Sequence, residues 1–278
     1  MSTTTNHADA GLVLSPAGHR RDVPPVATPR RGEPAAVAVD LGSGQARLWV
    51  DGKGIRVAPS TGEALSRPAP LVRRGRIVDA AGCVSLLTRL LHRFPQALPV
   101  GPVVVACQPV LAAPADQDAI RRVVTAVFAP SRVLLINTVR AAAIGSGAAA
   151  GVLLVVDVGA QLTEVAVVVD GRVAAARRAE MGTHDPTSGD APRLLAGIAA
   201  RLVADIGGNP RMRRLTAAAL ARGVIVVGDG ATMPELTSRL AANLRVPVRP
   251  ACSPRLAALS GAGLAATAVC RHPATAAA

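Results

Sequence analysis

The chain is predicted to fold as two α/β halves of one plan, each a three-stranded meander followed by helix, strand, helix, strand and helix, with a cleft between them. Three observations carry this. Val37-Ala38-Val39-Asp40-Leu41 reads as a buried strand with an acid near its tip. Gly42-Ser43-Gly44 turns it, and Gln45-Ala46-Arg47-Leu48-Trp49-Val50 leads away as a second strand. The same features return in order at Val152-Leu153-Leu154-Val155-Val156-Asp157-Val158, Gly159-Ala160-Gln161-Leu162 and Thr163-Glu164-Val165-Ala166-Val167-Val168-Val169. Each copy then meets a second tight turn, Asp51-Gly52-Lys53-Gly54 or Asp170-Gly171, and Asp-Gly between apolar runs is a strong hairpin signal. Short strands joined through helices make a sheet covered on both faces. A duplicated unit directs the carboxyl ends of its first strands, with both acids, into the cleft.

Residues 1–34 lack periodicity and are rich in Thr, Pro, Arg and Ala, which predicts a disordered basic tail. The first half spans 35–150. Its strands fall near 35–41, 45–50 and 54–58, and the Pro- and Arg-rich 59–78 reads as a connecting loop. Asp79 is placed to cap a helix whose Val84, Leu87, Leu90, Leu91 and Phe94 share one face. Val103 to Cys107 is a buried strand. A helix from about Asp116 follows, with Ile120, Val123, Val124, Val127 and Phe128 apolar. Val133 to Ile136 is a strand, and Ala141 to Gly147 a helix of small residues.

The second half spans 151–253, opening with a meander over 151–179. Helices are expected near 190–206 and 212–221, then a strand at Val224 to Val227 ending in Gly228-Asp229-Gly230. Thr232-Met233-Pro234-Glu235 reads as a capping box with Pro in the first turn. Val246-Pro247-Val248 is an edge-like strand. Ser253 is expected to cap a last helix, 254–269, that returns to the first half, and 270–278 is expected to fray.

Half the residues are apolar, enough for a substantial core, but Trp49, Phe94 and Phe128 are the only aromatics. The formal charge of +13 comes almost wholly from arginine, Lys53 being the sole lysine. The arginines are spread along the chain without interleaved aromatics, which argues for compositional bias and against specific nucleic-acid binding. Cys83, Cys107, Cys252 and Cys270 make no zinc spacing and fit a reducing compartment. No apolar run is long enough to span a bilayer, and Gly11-Leu12-Val13-Leu14 is too short for a signal-peptide core. The expected location is the cytoplasm.

The glycines at 42 and 44 let backbone N–H groups approach an anion. Asp40 and Asp157 stand where they could hold a metal ion or its water shell beside that anion. A nucleotide phosphate between two opposed hairpins, with Mg²⁺ near both acids, is the chemistry this spacing suggests. His184 beside Asp185 lacks a third partner and reads as a solvated histidine.

This arrangement resembles the actin-like (ribonuclease H-like) ATPase superfamily of actin, heat-shock chaperones and sugar kinases. Within it the chain is similar to MreB and its paralogues, the bacterial rod-shape proteins. Asp40-Leu41-Gly42-Ser43, Val155-Val156-Asp157-Val158-Gly159 with Thr163-Glu164-Val165-Ala166-Val167, Ala141-Ala142-Ala143-Ile144-Gly145-Ser146-Gly147, and Gly228-Asp229-Gly230-Ala231 carry the resemblance, over about 35–269. It implies ATP and Mg²⁺ as cofactors. It implies contacts from Asp40, Gly42, Ser43, Gly44 and Gln45 in one loop and from Asp157, Gly159, Ala160, Gln161 and Thr163 in the other. Gly228, Asp229, Gly230 and Ala231 would lie near adenosine. Three departures weaken the implied activity. Asn137, Thr138 and Val139 replace an acidic pair and proline, so Thr138 stands where a carboxylate positions water. Gln161 and Leu162 add bulk in the second loop, with Leu162 at the family's other catalytic position. Asp229 adds negative charge where the family has glycine. The outer subdomains of MreB also have no counterpart of similar length.

The implied function is a reduced cytoskeletal or morphogenetic protein of cell shape and cell-wall organisation, binding ATP with weak or absent hydrolysis. The alternative is a nucleotide-free scaffold that partners a full-length MreB paralogue. A sugar kinase would need a catalytic carboxylate facing a substrate pocket, and the sequence offers none. Weak, salt-sensitive attachment to the anionic inner membrane face follows from the charge.

Overall fold

The computed structural model of the protein describes residues 35–61, 69–148, 150–185 and 190–271. The expected tail 1–34, and 272–278 at the other end, lie outside these. The first half contains β1 (Ala36–Leu41), β2 (Gln45–Val50), β3 (Gly54–Pro59), β4 (Val72–Arg73), β5 (Arg76–Ile77), α1 (Ala80–His92), β6 (Val103–Gln108), α2 (Pro114–Phe128), β7 (Arg132–Asn137) and α3 (Thr138–Gly145). Then come β8 (Val152–Val158), β9 (Thr163–Val169), β10 (Arg172–Ala179), α4 (Ala191–Gly208), α5 (Arg213–Arg222), β11 (Val224–Val227), a 3₁₀ turn (Gly230–Thr232), α6 (Pro234–Leu244), β12 (Val248–Pro250) and α7 (Ala257–Cys270).

The duplication is real. One five-stranded sheet has the order β3-β2-β1-β6-β7 and the other β10-β9-β8-β11-β12, the same order counted along each half. In both, the meander is antiparallel and the remaining pairs are parallel. The sheets pleat into three cores. Ala36 and Ala38 of β1, and Leu153 and Val155 of β8, face a central core shared with α3 and α7. Val37 and Val39 face outward onto α1 and α2, and Leu154 and Val156 onto α4, α5 and α6. This period-two division explains why both first strands are continuously apolar.

In the central layer α3 and α7 cross with almost no side chain between them. A methyl group on Gly145 would meet the Ala257 carbonyl, and one on Gly261 the Ala141 carbonyl. α7 packs on β1, β2 and β6 of the first sheet, while α3 touches β8 and β9 of the second.

Asp79 caps α1, its Oδ1 accepting from Gly82 N–H at 2.8 Å. Leu86, Leu87 and Leu90 are buried on that helix, each worth about 1.5–3 kcal/mol. Four sequence expectations are corrected. Within 59–78 lies the β4–β5 hairpin with Leu71 and Val72 buried, so the segment is more than a connector. The capping box at Thr232 does not form: its hydroxyl donates to Asp229 O at 2.7 Å, and Met233 caps α6 without a side-chain bond. Ser253 does not cap α7, which begins at Ala257 after a turn. The edge strand is Val248–Pro250, two residues later than expected, because Gly223 and Val224 fix the register around Pro247.

Candidate functional site: a cleft between two acidic hairpin loops

Both loops are built alike. β1 and β2 pair Asp40 with Arg47 and Leu41 with Ala46, leaving 42–45 as the loop, closed by Gly42 N–H to Gln45 O at 3.0 Å. β8 and β9 pair Asp157 with Glu164 and Val158 with Thr163, leaving 159–162, closed by Gly159 N–H to Leu162 O at 2.8 Å. Each acid sits one strand pair behind its loop, and both line one cleft. The cross-strand partner differs: a cation faces Asp40, a second acid faces Asp157.

Arg47 is 8% exposed. Its Nη1 donates to Asp40 Oδ2 at 2.9 Å and its Nη2 to Gln45 Oε1 at 3.1 Å. Nη2 also lies 3.9 Å from Asp229 Oδ1 in the other half, and Arg255 Nε is 3.1 Å from that same oxygen. Burial works against the guanidinium charge, but Asp40, and then Asp229 and Asp157, outweigh it and raise the pKa. A charged Arg47 is therefore a fixed part of the cleft.

Asp157 is pushed up to about 7, first by burial and then by the charge of Asp40. Glu164 is held well above the usual carboxylate range by burial and by Asp157, although Val110 N–H donates to its Oε1 at 2.6 Å.

The β4–β5 turn lies across both loops. Gly75 N–H donates to Ser43 Oγ at 3.1 Å in the first, and Arg74 N–H to Gln161 Oε1 at 2.9 Å in the second. Gly75 has φ +72°, and a Cβ there would sit 2.8 Å from Leu162 Cδ1 and 2.5 Å from Pro109 Cγ. Glycine is required on both counts. The loops themselves nearly touch, since a Cβ on Gly44 would lie 3.0 Å from that of Ala160.

Of the residues expected at the site, Asp40, Gly42, Ser43, Gly44, Gln45, Asp157, Gly159, Ala160, Gln161, Gly228 and Asp229 line the cleft, as do Thr138 and Leu162. Thr163, Gly230 and Ala231 do not. Thr163 is buried and its hydroxyl donates to Met181 O at 2.9 Å. Gly230 and Ala231 are buried in the 3₁₀ turn, with Gly230 against Val158 and Leu236. Thr138 donates its hydroxyl to Gln108 O at 2.9 Å. His184 is exposed beside Gly44, as expected of a solvated histidine, and its backbone N–H donates to Ala160 O at the edge of the second loop. The sequence reading overlooked Arg47, Glu164, Gln108, Arg255 and the Arg74-Gly75 turn. Counting pairs outward from each glycine turn would have found Arg47 and Glu164, and Arg-Gly between Val72 and Ile77 is a turn signal.

These residues suit a phosphate in chemistry: two glycine-bearing loops and a buried guanidinium. The space between the loops is about 100 Å³, and a second hollow of about 290 Å³ shares Gly44, Gln45, Asp229 and Arg255 with it. Magnesium at Asp40 and Asp157 does not fit this arrangement, because Arg47 already occupies Asp40. A second cation about 4 Å from the guanidinium would be repelled by roughly 4 kcal/mol per unit charge at an effective dielectric constant of about 20.

Duplicated sheets of this order around paired Asp-Gly loops define an actin-like fold. The family model described as MreB/Mbl protein matches residues 60–185, which include the second loop and α3 but not the first loop. MreB5 of Spiroplasma citri bound to ADP superposes with TM-score 0.73 at 15% identity, over 86% of this chain and 98% of that one. Bound to AMPPNP, MreB5 of Spiroplasma citri gives TM-score 0.72 at 15% identity, over 85% and 97%. The ethanolamine utilization protein EutJ from Carboxydothermus hydrogenoformans gives 0.57 at 21% identity, over 83% and 89%. No curated protein matches the chain.

Proposed function

We propose that the chain is an MreB-like cytoskeletal or morphogenetic protein of bacterial cell shape and cell-wall organisation, whose cleft binds adenine nucleotide weakly and hydrolyses it slowly or not at all. The observation that carries this is the pair of same-register acidic loops facing one cleft. The ADP and AMPPNP named with the Spiroplasma relative point to the ligand class. Ser43, Gly44 and Gly159 would meet the phosphates, with Arg47 supplying positive charge. At the two positions where the resemblance puts catalytic groups, neither residue is a base. The Thr138 hydroxyl is instead committed to Gln108 O, and Leu162 is apolar. Titration calorimetry with Mg-ATP tests the reading. Saturation at a hundred times the dissociation constant stabilises the fold by about 2.7 kcal/mol. The absence of both binding heat and a thermal shift at millimolar ligand would overturn it.

The second reading is a nucleotide-free scaffold that partners a full-length MreB paralogue. The Arg47 guanidinium reaching from Asp40 towards Asp229 across the cleft favours it. In either case the protein works in the cytoplasm, and its excess of arginine supports weak contact with the anionic inner membrane face. Among the described residues no helix is long and apolar enough to cross a membrane.

A further inference from the structure

We infer that the Arg47 guanidinium is the resident cation of this cleft, standing where a divalent metal would have to sit, so that the site meets a phosphoanion without a metal ion. The phosphoanion half rests on the nucleotide reading above; the cation half does not.

Three observations converge. The register that pairs Asp157 with Glu164 in the second half pairs Asp40 with Arg47 in the first, so a cation is built into the strand beside the acid. The guanidinium then spans the cleft, held by Asp40 on one side and approaching Asp229 on the other. A metal ion held between Asp40 and Asp157 would need the carboxylate that the guanidinium already holds.

The third observation concerns what is left over. Arg47 Nε is a buried donor with no hydrogen-bond partner among the described residues. Arg47 lines the cleft. A buried donor without an acceptor is destabilising, and native proteins rarely leave one. An anionic oxygen would accept from Nε. Arginine's planar fork suits phosphate, and its charge is permanent, whereas a metal must be captured from solution.

The experiment compares thermal unfolding of the wild type and Arg47→Ala in EDTA and in millimolar Mg²⁺ or Mn²⁺ at matched ionic strength. The wild type is expected to show no difference between the two media. Arg47→Ala leaves Asp40, Asp157 and Asp229 without their shared cation. It is expected to melt lower in EDTA and to rise by several degrees when a divalent ion replaces the guanidinium. A wild type stabilised by Mg²⁺, or a folded Arg47→Ala indifferent to divalent ions, would overturn the inference. Should Arg47→Ala fail to fold in both media, Arg47→Gln keeps the side chain's bulk and is read the same way.

Titration of the wild type with ADP supplies a second readout. The affinities in EDTA and in Mg²⁺ are expected to agree within about twofold, and a loss of about tenfold in EDTA overturns metal-free binding. Absence of ADP binding in both media defeats the nucleotide reading and the phosphoanion half with it. The divalent-ion shifts still decide what Arg47 does.

Discussion

Asp157 is a carboxylic acid kept from ionising freely by its surroundings, and its behaviour with pH follows from sign alone. Burial, and then the charge of Asp40, lift it from 3.8 to about 7 in the folded protein. The unfolded chain gives up this proton near pH 4, while the folded protein holds it to about pH 7. Between those values the folded state binds more protons, so this group's contribution makes stability fall as pH rises, and the penalty is complete above about 7. Asp157→Asn removes the ionisable group in a near-isosteric way. It is expected to raise the melting temperature at pH 8 and to lose that advantage near pH 4, as calorimetric melts across this range would show. No gain at pH 8 would mean that Asp157 is ionised in the fold at no cost.

Among the elements, helix glycines separate packing from propensity. Gly261 of α7 faces the Ala141 carbonyl of α3, and a methyl group there must force the helices apart. Gly261→Ala is expected to cost at least about 1–3 kcal/mol by overpacking. Gly197 of α4 has nothing within 4 Å of where its Cβ would be. Gly197→Ala is expected to stabilise by roughly 0.5–1 kcal/mol, since alanine loses less freedom in a helix. Urea melts of both variants check the contrast, and equal effects would contradict the packing described. The long elements were legible in the sequence because their apolar residues recur at helical or strand spacing, as on α1 and β8. The acidic loops were legible because Asp and Gly mark a strand tip twice. The β4–β5 hairpin was not, since its strands are two residues each and sit in a Pro- and Arg-rich stretch. Its docking onto Ser43 and Gln161 joins residues far apart in the chain. Arg47 was hidden for a related reason: the strand was read along its length, and its meaning lies across the hairpin. Thr232 misled because its hydroxyl found Asp229 O first, and local side-chain bonds of this kind compete with helix capping.

For the whole molecule, the question is what a chain this compact can assemble into. The β3–α1 connection holds the small β4–β5 sheet, and the α4–α5 connection is only residues 209–212. A head-to-tail filament needs two complementary surfaces on each subunit. If the short connections leave out the outer surfaces that the resemblance to MreB implies for such contacts, the purified protein is expected to remain in the supernatant on sedimentation with Mg-ATP at physiological salt. Regular protofilaments in the pellet by electron microscopy would show that the two sheet halves carry polymer contacts by themselves. The exchange of α3 and α7 between the sheets has a mechanical consequence. The chain passes from one half to the other twice, once from α3 into β8 and once from β12 into α7. Rotation about the line through those two crossings strains the chain least, but it must also break the bonds from Arg74 to Gln161 and from Val110 to Glu164 that join the halves at the loops. With the glycine crossing for an axle, prising open the cleft draws Arg47 from Asp229, and shutting it returns the charge to its latch.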